Sequence, residues 1–384
     1  MRSDSALDVS ETMTRMATST EELLRGIVER QERNTVVLSP ADGRCYRKVV
    51  YVNSYGGPDV LRKIRSGLLP PQHMWGCFEL VRRGYEVALP DALLDFSYRD
   101  PLPHDLKLLR LVHSWLPSDG IVYCGHNVLF WLPSLRRVRG IHARVVSLLF
   151  AREPLKFARA HSGIVGLTRA GAEHASRLAP GVRVANLSWG ADLSAYPRLP
   201  YRPECFFSCG IAVRDFDTLS RAAARSNHRI DVVVPGNVDG VQWPSNVSVF
   251  DGGSGWSFQK DRFSHRELIQ RFQARSVASL IILKRDDAEY IACGFTELID
   301  AMAMARPVIM TRTGALPTEI DIEKAGFGIY VPPEDPDAIV EAMNYLRNNP
   351  DAAEEMGQYG RLLAEQHYNL ERYATDLHSF FENL

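Results

Sequence analysis

The chain has 384 residues, of which 45% are hydrophobic and 24% are charged, and its formal net charge is -1 at pH 7. This composition is ordinary for a globular protein, its length favours two domains, and the balanced charge gives no bias toward nucleic acid. No apolar run reaches the roughly 18 residues of a membrane-spanning helix, and the N-terminus lacks the apolar centre of a signal peptide. We therefore predict a cytoplasmic protein.

The six cysteines lie mostly within apolar runs, and none forms a Cys-x-x-Cys pair. Zinc sites are usually built from such closely spaced pairs, so the spacing argues against zinc. Buried, reduced thiols are the expected state of these side chains in a cytoplasmic protein.

Residues 1–45 are polar and show no strand pattern. We predict that they form an N-terminal extension with one short helix at Thr20–Arg33.

From residue 46 to residue 197, short apolar runs alternate with amphipathic stretches. Alternation of this kind is typical of a parallel, doubly wound sheet. We therefore predict a first Rossmann-like domain over residues 46–197. Its expected strands lie at 49–55, 85–90, 120–124, 145–150, 163–168 and 182–189, and its expected helices at about 72–83 and 104–115.

Three prolines within residues 197–203 indicate a linker, after which the alternation resumes. We predict a second Rossmann-like domain over residues 204–365, and a helical tail over residues 352–384. A ligand site is expected in the cleft between two such domains. The expected strands of the second domain lie at 204–210, 230–236, 247–250, 280–283, 307–310 and 328–331, and its expected helices at 215–225, 264–274 and 338–348.

The segment Ile281–Thr313 is the most informative part of the chain. It reads as an apolar strand, a polar loop, a helix that starts behind Gly294, and a second apolar strand. A helix that begins behind a glycine after a strand presents free backbone N–H groups and a positive dipole end, which together attract anions. An acid farther along this helix could hold ribose hydroxyls, so the segment indicates a nucleotide site.

Several motifs of the chain resemble those of a known family. Asp300-Ala-Met-Ala-Met-Ala-Arg-Pro-Val-Ile resembles the Glu-Ala-Met-Ala-x-Gly-x-Pro-Val-Ile block of retaining GT-B glycosyltransferases of family four, the glycosyl transferases group 1. Ser188-Trp-Gly-Ala-Asp-Leu-Ser-Ala-Tyr-Pro197 resembles the family's Pro-Asn-Gly-Val-Asp-x-x-x-Phe-x-Pro segment. Residues 208–219 resemble its phosphate-binding strand end, Gly-Arg-x-x-Arg-Asp-Tyr-x-Thr-Leu.

The resemblance implies an α/β protein of the GT-B fold, with two Rossmann-like, doubly wound domains that face a central cleft. It also implies that the last helix, within residues 366–384, crosses back to the N-terminal domain. The implied activity is that of a retaining, metal-independent, hexosyltransferase-type glycosyltransferase without a cofactor. A nucleotide-diphosphate-sugar donor would bind the C-terminal domain, and a small-molecule, glycan or lipid-linked acceptor would bind the N-terminal domain.

The acidic residues depart from the family pattern, which has two glutamates eight residues apart with the second directly before Ala-Met-Ala. Glu289 and Glu297 have that spacing, but the Ala-Met-Ala block places Asp300 at the second position and Ala292 at the first. We prefer the second alignment. The phosphate segment also departs, since Ile211 stands where an arginine is usual.

Seven residues are predicted to bind the donor. Arg214 follows a strand and is expected to hold the diphosphate, and Lys284 ends the strand at Ile281–Leu283. The acid at position 300 sits among apolar residues, where ribose hydroxyls would provide partners for its carboxylate. The alternative for Arg214 is a surface arginine, and the alternative for Asp300 is a helix-capping or salt-bridged acid. The predicted set is Gly57, Arg214, Lys284, Gly294, Phe295, Thr296 and Asp300.

His126 and Glu297 are predicted as the catalytic residues. His126 follows the strand at residues 120–124, where family members often place a histidine against the donor sugar. Glu297 lies one turn before Asp300 on the same helix face, within reach of ribose or sugar. A structural histidine is the alternative for His126.

The stretch from Leu135 to Arg159 carries seven basic residues against one acid. A solvated basic face is the usual explanation, and peripheral membrane contact through Arg136–Arg159 is the alternative. Two other functions also remain open: a non-catalytic sugar-nucleotide-binding partner protein, and a sugar-nucleotide epimerase or hydrolase on the same fold.

Overall fold

The computed structural model describes residues 24–32, 34–53, 56–91, 102–125, 131–149, 157–210, 213–234, 240–251, 263–284, 293–313 and 320–384. The chain divides into two compact units, the first formed by Met1–Trp189 with Leu370–Leu384 and the second by Gly190–Asn369.

The first unit contains an eight-stranded sheet of order β1-β2-β4-β3-β5-β6-β7-β8. Strands β3 to β8 pair in parallel, whereas β1 and β2 pair antiparallel to each other and β2 pairs antiparallel to β4. The strands are β1 (Ile27–Glu32), β2 (Thr35–Pro40), β3 (Arg47–Val52), β4 (Tyr85–Pro90), β5 (Ile121–Cys124), β6 (Arg144–Leu149), β7 (Gly163–Gly166) and β8 (Arg183–Asn186).

Helices pack against this sheet and bury its apolar side chains, among them Val50, Ala88, Val122 and Val145, which pack with Leu108 of the helix Leu102–Trp115. The α-helices are Gly57–Arg65, Cys77–Arg82, Leu102–Trp115, Leu132–Val138, Arg169–Leu178 and Leu370–Glu382, and short 3-10 turns cover Pro71–Met74 and Ala158–Ala160. The C-terminal helix Leu370–Glu382 is thus part of the first unit.

The second unit contains six parallel strands of order β11-β10-β9-β12-β13-β14. They are β9 (Cys205–Cys209), β10 (Ile230–Val234), β11 (Val247–Asp251), β12 (Ser276–Ile281), β13 (Val308–Thr311) and β14 (Gly328–Val331). The α-helices are Phe216–Ala224, His265–Glu267, Phe295–Ala303, Pro336–Asn348 and Pro350–Gln366. Near-continuous burial along β10 and β12 reflects cover on both faces, as parallel sheets require.

The structure corrects the prediction for residues 1–45. Residues 27–32, which we expected in a helix, form β1, and β1 and β2 extend the sheet of the first unit. Strand β1 lies at the sheet edge, and its side chains are mostly exposed, so its sequence is polar and carries no apolar alternation. The pairing is made by the backbone, which a side-chain pattern does not reveal.

Two predicted helices are interrupted. The helix expected at about 72–83 breaks at Trp75 and Gly76, which both have positive φ, at 51° and 83°. A Cβ at Gly76 would lie 3.4 Å from Leu377 Cδ2, so a glycine suits both the backbone and the packing. The helix expected at 264–274 consists of one α turn, a π turn at Leu268–Phe272 and a 3-10 turn at Gln273–Arg275.

Candidate functional site

The strand order of the second unit defines where a ligand should bind. The chain runs from β9 outward to β10 and β11, then returns to place β12 on the other side of β9. The order therefore reverses between β9 and β12, and the crevice beyond the carboxyl ends of strands at such a switch point is the usual ligand site of open α/β sheets.

The segments that leave β9 and β12 are tied together at this edge. Arg214 and Leu283 form a β-bridge, the amide of Lys284 donates to Val213 O at 2.9 Å, and the amide of Asp215 donates to Ile282 O at 2.9 Å. Val213 has φ 57°, which is uncommon for a β-branched residue. These bonds fix Arg214 and Lys284 side by side at the switch point, and Lys284 is exposed.

The helix Phe295–Ala303 begins at the same place. Its N-cap, Gly294, has φ 75°, and a Cβ there would lie 2.7 Å from Ile281 Cγ2 and 3.8 Å from Arg214 Nη1. Only a glycine fits this position without displacing the end of β12. The N-terminus of the helix, with its positive dipole end, therefore lies beside the Arg214 guanidinium.

Arg214 forms a buried ion pair with Glu297. Nη2 lies 2.8 Å from Glu297 Oε2, and the two side chains are only 4% and 3% exposed. Arg214 Nε donates to Cys209 O at 3.0 Å, and the amide of Cys209 donates to Glu297 Oε1 at 3.2 Å. Burial raises the pKa of Glu297 to about 7, although Arg214 and the Cys209 amide favour its charged form.

Asp300 lies one turn farther along the helix and has different partners. Its Oδ1 accepts a hydrogen bond from the Tyr196 hydroxyl, and that hydroxyl also lies 3.0 Å from His265 Nε2. Burial raises the pKa of Asp300 to about 7, with a smaller opposing effect of Tyr196 and a smaller added effect of the Glu297 charge. The Phe295–Ala303 helix therefore carries two carboxyl groups that both titrate near neutral pH.

The structure brings together most of the predicted donor-binding residues. Six of the seven lie at or near the switch point between β9 and β12, namely Arg214, Lys284, Gly294, Phe295, Thr296 and Asp300. Glu297, predicted as catalytic, lies there as well. Thr296 is exposed, but Phe295 is 2% exposed and packs inward, so only its backbone is placed to meet a ligand. Arg214 is not a surface arginine, because Glu297 and Cys209 hold it in the interior.

Gly57 lies in the first unit, at the start of the helix Gly57–Arg65 that follows β3. The strand order β4-β3-β5 reverses there as well, so Gly57 follows a strand at the switch point of this sheet. A Cβ at Gly57 would approach Leu89 Cβ to 3.0 Å, which gives the glycine a packing role of its own. Its predicted donor contact stays a prediction.

His126, Glu289, Ala292 and Ile211 lie outside the described residues. The catalytic role predicted for His126 and the alignment of the two family acids therefore stay predictions. The nearest described neighbour of His126 is Gly125, directly after β5, where a Cβ would clash with Tyr51 Oη at 2.6 Å.

The prediction of a basic surface is wrong for Arg136. Its side chain is buried and donates to Ala143 O at 2.8 Å, Ala160 O at 2.9 Å and Ser162 Oγ at 3.0 Å. These bonds satisfy buried carbonyl groups, so the guanidinium is a structural tie and does not reach an anionic surface.

Tyr196, His265 and Cys209 belong to the site but were not predicted. Tyr196 takes the position of the phenylalanine in the family segment that Ser188–Pro197 resembles. The added hydroxyl was the one feature of the sequence that could have indicated a polar role for this residue. His265 sits just behind the N-cap Ser264 of a three-residue helix, where nothing in the sequence points to a site.

All six cysteines are free thiols, of which Cys45 is exposed, Cys209 is half-buried and the other four are buried. Within the described ranges, no group of three or more His, Cys, Asp or Glu side chains could hold a metal ion. In the same ranges, no helix is both long and apolar enough to cross a membrane.

Residues 280–349, which contain β13 and most of this site, match the family model described as glycosyl transferases group 1. This part of the second unit is therefore similar to the group 1 glycosyltransferases. This confirms the family predicted from the Ala-Met-Ala block, and it supports the prediction of a glycosyltransferase. No curated protein sequence matches the chain.

Solved glycosyltransferase structures share the fold of this chain. Sucrose-phosphate synthase from Thermosynechococcus elongatus superposes with a TM-score of 0.64 at 11% identity, over 88% of this chain and 98% of that one. The α,α-trehalose 6-phosphate synthase of Burkholderia multivorans superposes with a TM-score of 0.63 at 12% identity, over 88% of this chain and 98% of that one. HepE from Anabaena, in a structure with UDP, superposes with a TM-score of 0.57 at 12% identity, over 88% of this chain and 100% of that one. The two-domain GT-B fold class is confirmed.

Proposed function

We propose that this protein transfers a sugar from a nucleoside-diphosphate-sugar to a hydroxyl acceptor, with retention at the anomeric carbon and without a divalent metal. The observation that carries the proposal is the meeting of Arg214, Lys284 and the N-terminus of the Phe295–Ala303 helix at one switch point.

The diphosphate would bind where these positive groups converge. Lys284 is exposed just beyond β12, and Phe295 and Thr296 form the first turn of a helix whose N-terminal end attracts anions. Arg214 adds a third positive group, whose Nη1 lies toward Gly294. Fixed donors of this kind stabilise a leaving diphosphate when no metal is present.

The nucleoside would extend along the Phe295–Ala303 helix, so that its ribose hydroxyls meet the carboxylate of Asp300. An ionised carboxylate accepts hydrogen bonds from two vicinal hydroxyls, and these charge-assisted bonds are stronger than neutral ones. Glu297 lies between the diphosphate and ribose positions, where its charge balances Arg214 until the donor arrives.

The chemical step would then rest on placement of an acceptor hydroxyl beside the anomeric carbon and on stabilisation of the leaving phosphate. The described part of the donor site offers no carboxylate nucleophile other than Glu297 and Asp300, both already engaged. Attack on the same face as the departing phosphate, which would take the acceptor proton, is therefore the proposed route to retention. His126 is proposed to contact the donor sugar.

The identity of the donor is best tested with uridine nucleotides first, since HepE, a structural neighbour, was determined with UDP and with UDP and glucose. Calorimetry with UDP, GDP and ADP measures binding without any assumption about the acceptor. Donor hydrolysis, assayed with and without sugar phosphates as acceptors, then separates the functions. Transfer to an acceptor supports the proposal. Binding without turnover indicates a sugar-nucleotide-binding partner, and turnover without an acceptor indicates a hydrolase or epimerase.

A further inference from the structure

The carboxylate of Asp300 is held by a series of side chains that begins outside its own helix. Tyr196 comes from the segment that precedes β9, and His265 comes from the turn after residue 263. The Tyr196 hydroxyl donates to Asp300 Oδ1, and His265 Nε2 lies 3.0 Å from the Tyr196 oxygen. A phenol has one hydrogen, so when it is given to an ionised Asp300, the imidazole Nε2–H must be the donor to the phenol oxygen.

The position of Tyr196 is fixed at both ends. Its side chain is 1% exposed, and its ring packs edge-to-face on His265 with centroids 5.0 Å apart. Its carbonyl accepts a hydrogen bond of 2.9 Å from Arg361 Nη1, and the same nitrogen donates to Ala303 O at the end of the Asp300 helix. One guanidinium therefore joins the backbone of Tyr196 to the helix that carries Asp300, which sets the distance between phenol and carboxylate.

His265 is held just as firmly. It follows Ser264, whose side chain and backbone form a capping box with Glu267: Ser264 Oγ accepts from the Glu267 amide at 3.1 Å, and the Ser264 amide donates to Glu267 at 2.7 Å. Such a box fixes the first turn of a helix and the direction of the residue within it.

The family segment that Ser188–Pro197 resembles has a phenylalanine at the position of Tyr196, and the family block has a glutamate at the position of Asp300. Two changes therefore occur together in this chain: a hydroxyl is added to the ring, and one methylene is removed from the acid. The structure shows that these changed groups are hydrogen-bonded to each other.

We propose that Tyr196 and His265 are positioning residues, which hold the Asp300 carboxylate ionised and oriented toward the ribose hydroxyls of the donor. This inference rests on the proposed function for the ribose. It assigns to these two residues an effect on the donor that is transmitted through Asp300.

The charged and titratable groups around Asp300 come from its own helix and from several segments that pack near it. Glu297 lies on the same helix, Cys209 and Arg214 come from the end of β9, and Tyr196 and His265 come from the two segments just described. Arg361 comes from the helix Pro350–Gln366 and is itself paired with Glu365 at 2.8 Å. The phenol opposes protonation of Asp300, whereas burial and the Glu297 charge favour it.

The test compares Tyr196→Phe and His265→Gln with wild type and with Tyr201→Phe. Tyr196→Phe removes only the hydroxyl and keeps the ring that fills the site. Tyr201→Phe is a matched control, because Tyr201 lies in the same unit and its hydroxyl donates to a backbone carbonyl, Val277 O, at 3.0 Å. The dissociation constant of UDP is measured by calorimetry from pH 6 to pH 9.

For Tyr196→Phe we expect UDP binding about tenfold weaker than wild type at pH 7, and recovery to within about twofold at pH 9, since the lost hydrogen bond moves the titration of Asp300 upward by about one unit or more. His265→Gln should shift the pH dependence of the UDP dissociation constant in the same direction, but by a smaller amount than Tyr196→Phe. Tyr201→Phe should follow wild type. An unchanged Tyr196→Phe profile, or equal weakening at every pH, would overturn the inference.

A ligand-free measurement separates this inference from the proposed function. In protein labelled with ¹³C at aspartate carboxyls, the resonance of Asp300 is identified by its loss in Asp300→Asn. An upward shift of its midpoint in Tyr196→Phe supports the positioning role even if no nucleoside diphosphate binds to wild type, in which case only the proposed function fails. An unshifted midpoint refutes the positioning role whatever UDP does.

Discussion

Arg214 and Glu297 form an ion pair of 2.8 Å in which both side chains are almost completely buried. A buried pair loses the hydration of two charges, so it adds little net stability unless other bonds complete it. Here the Cys209 carbonyl and amide bind the two partners, which links the end of β9 to the Phe295–Ala303 helix. The pair keeps a cation at the proposed diphosphate site before any donor is present.

We expect Arg214→Ala to weaken UDP binding by about 1.5–3 kcal/mol, the usual value of a hydrogen bond to a charged group. The reason is that the diphosphate loses its arginine while Lys284 and the helix start remain. Calorimetry with UDP measures the change. Arg221→Ala is the matched control, because the Arg221 side chain is 46% exposed on the next helix and pairs with Asp217 and Thr218 of that helix.

The single change also leaves Glu297 buried without its partner, which lowers stability by itself. The double variant Arg214→Ala with Glu297→Gln separates the two effects. It should recover most of the lost thermal stability but none of the lost UDP affinity. Recovery of affinity in the double variant would show that Arg214 serves only to neutralise Glu297.

The stability of the protein should depend on pH through Glu297. Its pKa is raised in the folded state from 4.5 to about 7, so folding favours the protonated form. The contribution of this group is complete below about pH 4.5 and is lost as pH rises through about 7. At about 1.4 kcal/mol per unit, the loss is on the order of 3 kcal/mol.

Glu297→Gln should remove this part of the pH dependence, so the melting temperature of the variant should fall less than that of wild type between pH 5 and pH 8. Scanning calorimetry at matched ionic strength gives both curves. Glu355→Gln is a suitable control, because Glu355 is exposed and lies in a different helix, Pro350–Gln366. Parallel curves for wild type and Glu297→Gln would contradict the assignment.

Much of the fold could be predicted because the strands of both sheets are buried and apolar, as in β10 and β12. Strand β1 could not, since an edge strand is held by backbone bonds and its side chains face solvent. The kink at Trp75 and Gly76 was also missed, because the apolar spacing on either side of it suits one continuous helix.

The candidate site was predictable where the chain places residues next to strand ends, as for Arg214 and Lys284. The buried ion pair of Arg214 with Glu297 could not be predicted, because the two residues are distant in sequence. They meet only when the ends of β9 and β12 are adjacent. The partners of Asp300 depend in the same way on contacts across the unit, to Tyr196 and His265.

Activity should not require a divalent metal. The proposed site supplies positive charge through Arg214, Lys284 and a helix N-terminus, which act on the diphosphate in place of a cation. We expect sugar transfer in EDTA at a rate within about twofold of that with magnesium, corresponding to under about 0.5 kcal/mol. Loss of activity in EDTA that magnesium or manganese restores would contradict the proposal.

Two alignments nominate different acids as binding partners of the donor. The spacing of the family motif nominates Glu289 with Glu297, whereas the Ala-Met-Ala block nominates Asp300. We favour Asp300, because it lies on the helix whose N-terminus meets the proposed diphosphate and because its carboxyl group is held in place by Tyr196. Glu289 instead follows Asp286 and Asp287 in a polar stretch of the sequence, where water can solvate a carboxylate at little cost in free energy.

We therefore expect Asp300→Ala to raise the donor KM strongly or abolish turnover, and Glu289→Ala to leave both kcat and KM within a few-fold of wild type, under about 1 kcal/mol. Asp300→Asn distinguishes charge from shape: it keeps the size of the side chain but should lose the pH dependence of UDP binding along with most of the affinity. Steady-state kinetics with the donor that binds best provide the comparison. An inactive Glu289→Ala beside an active Asp300→Ala would reverse the assignment, because the acid that matters would then be the one chosen by spacing alone.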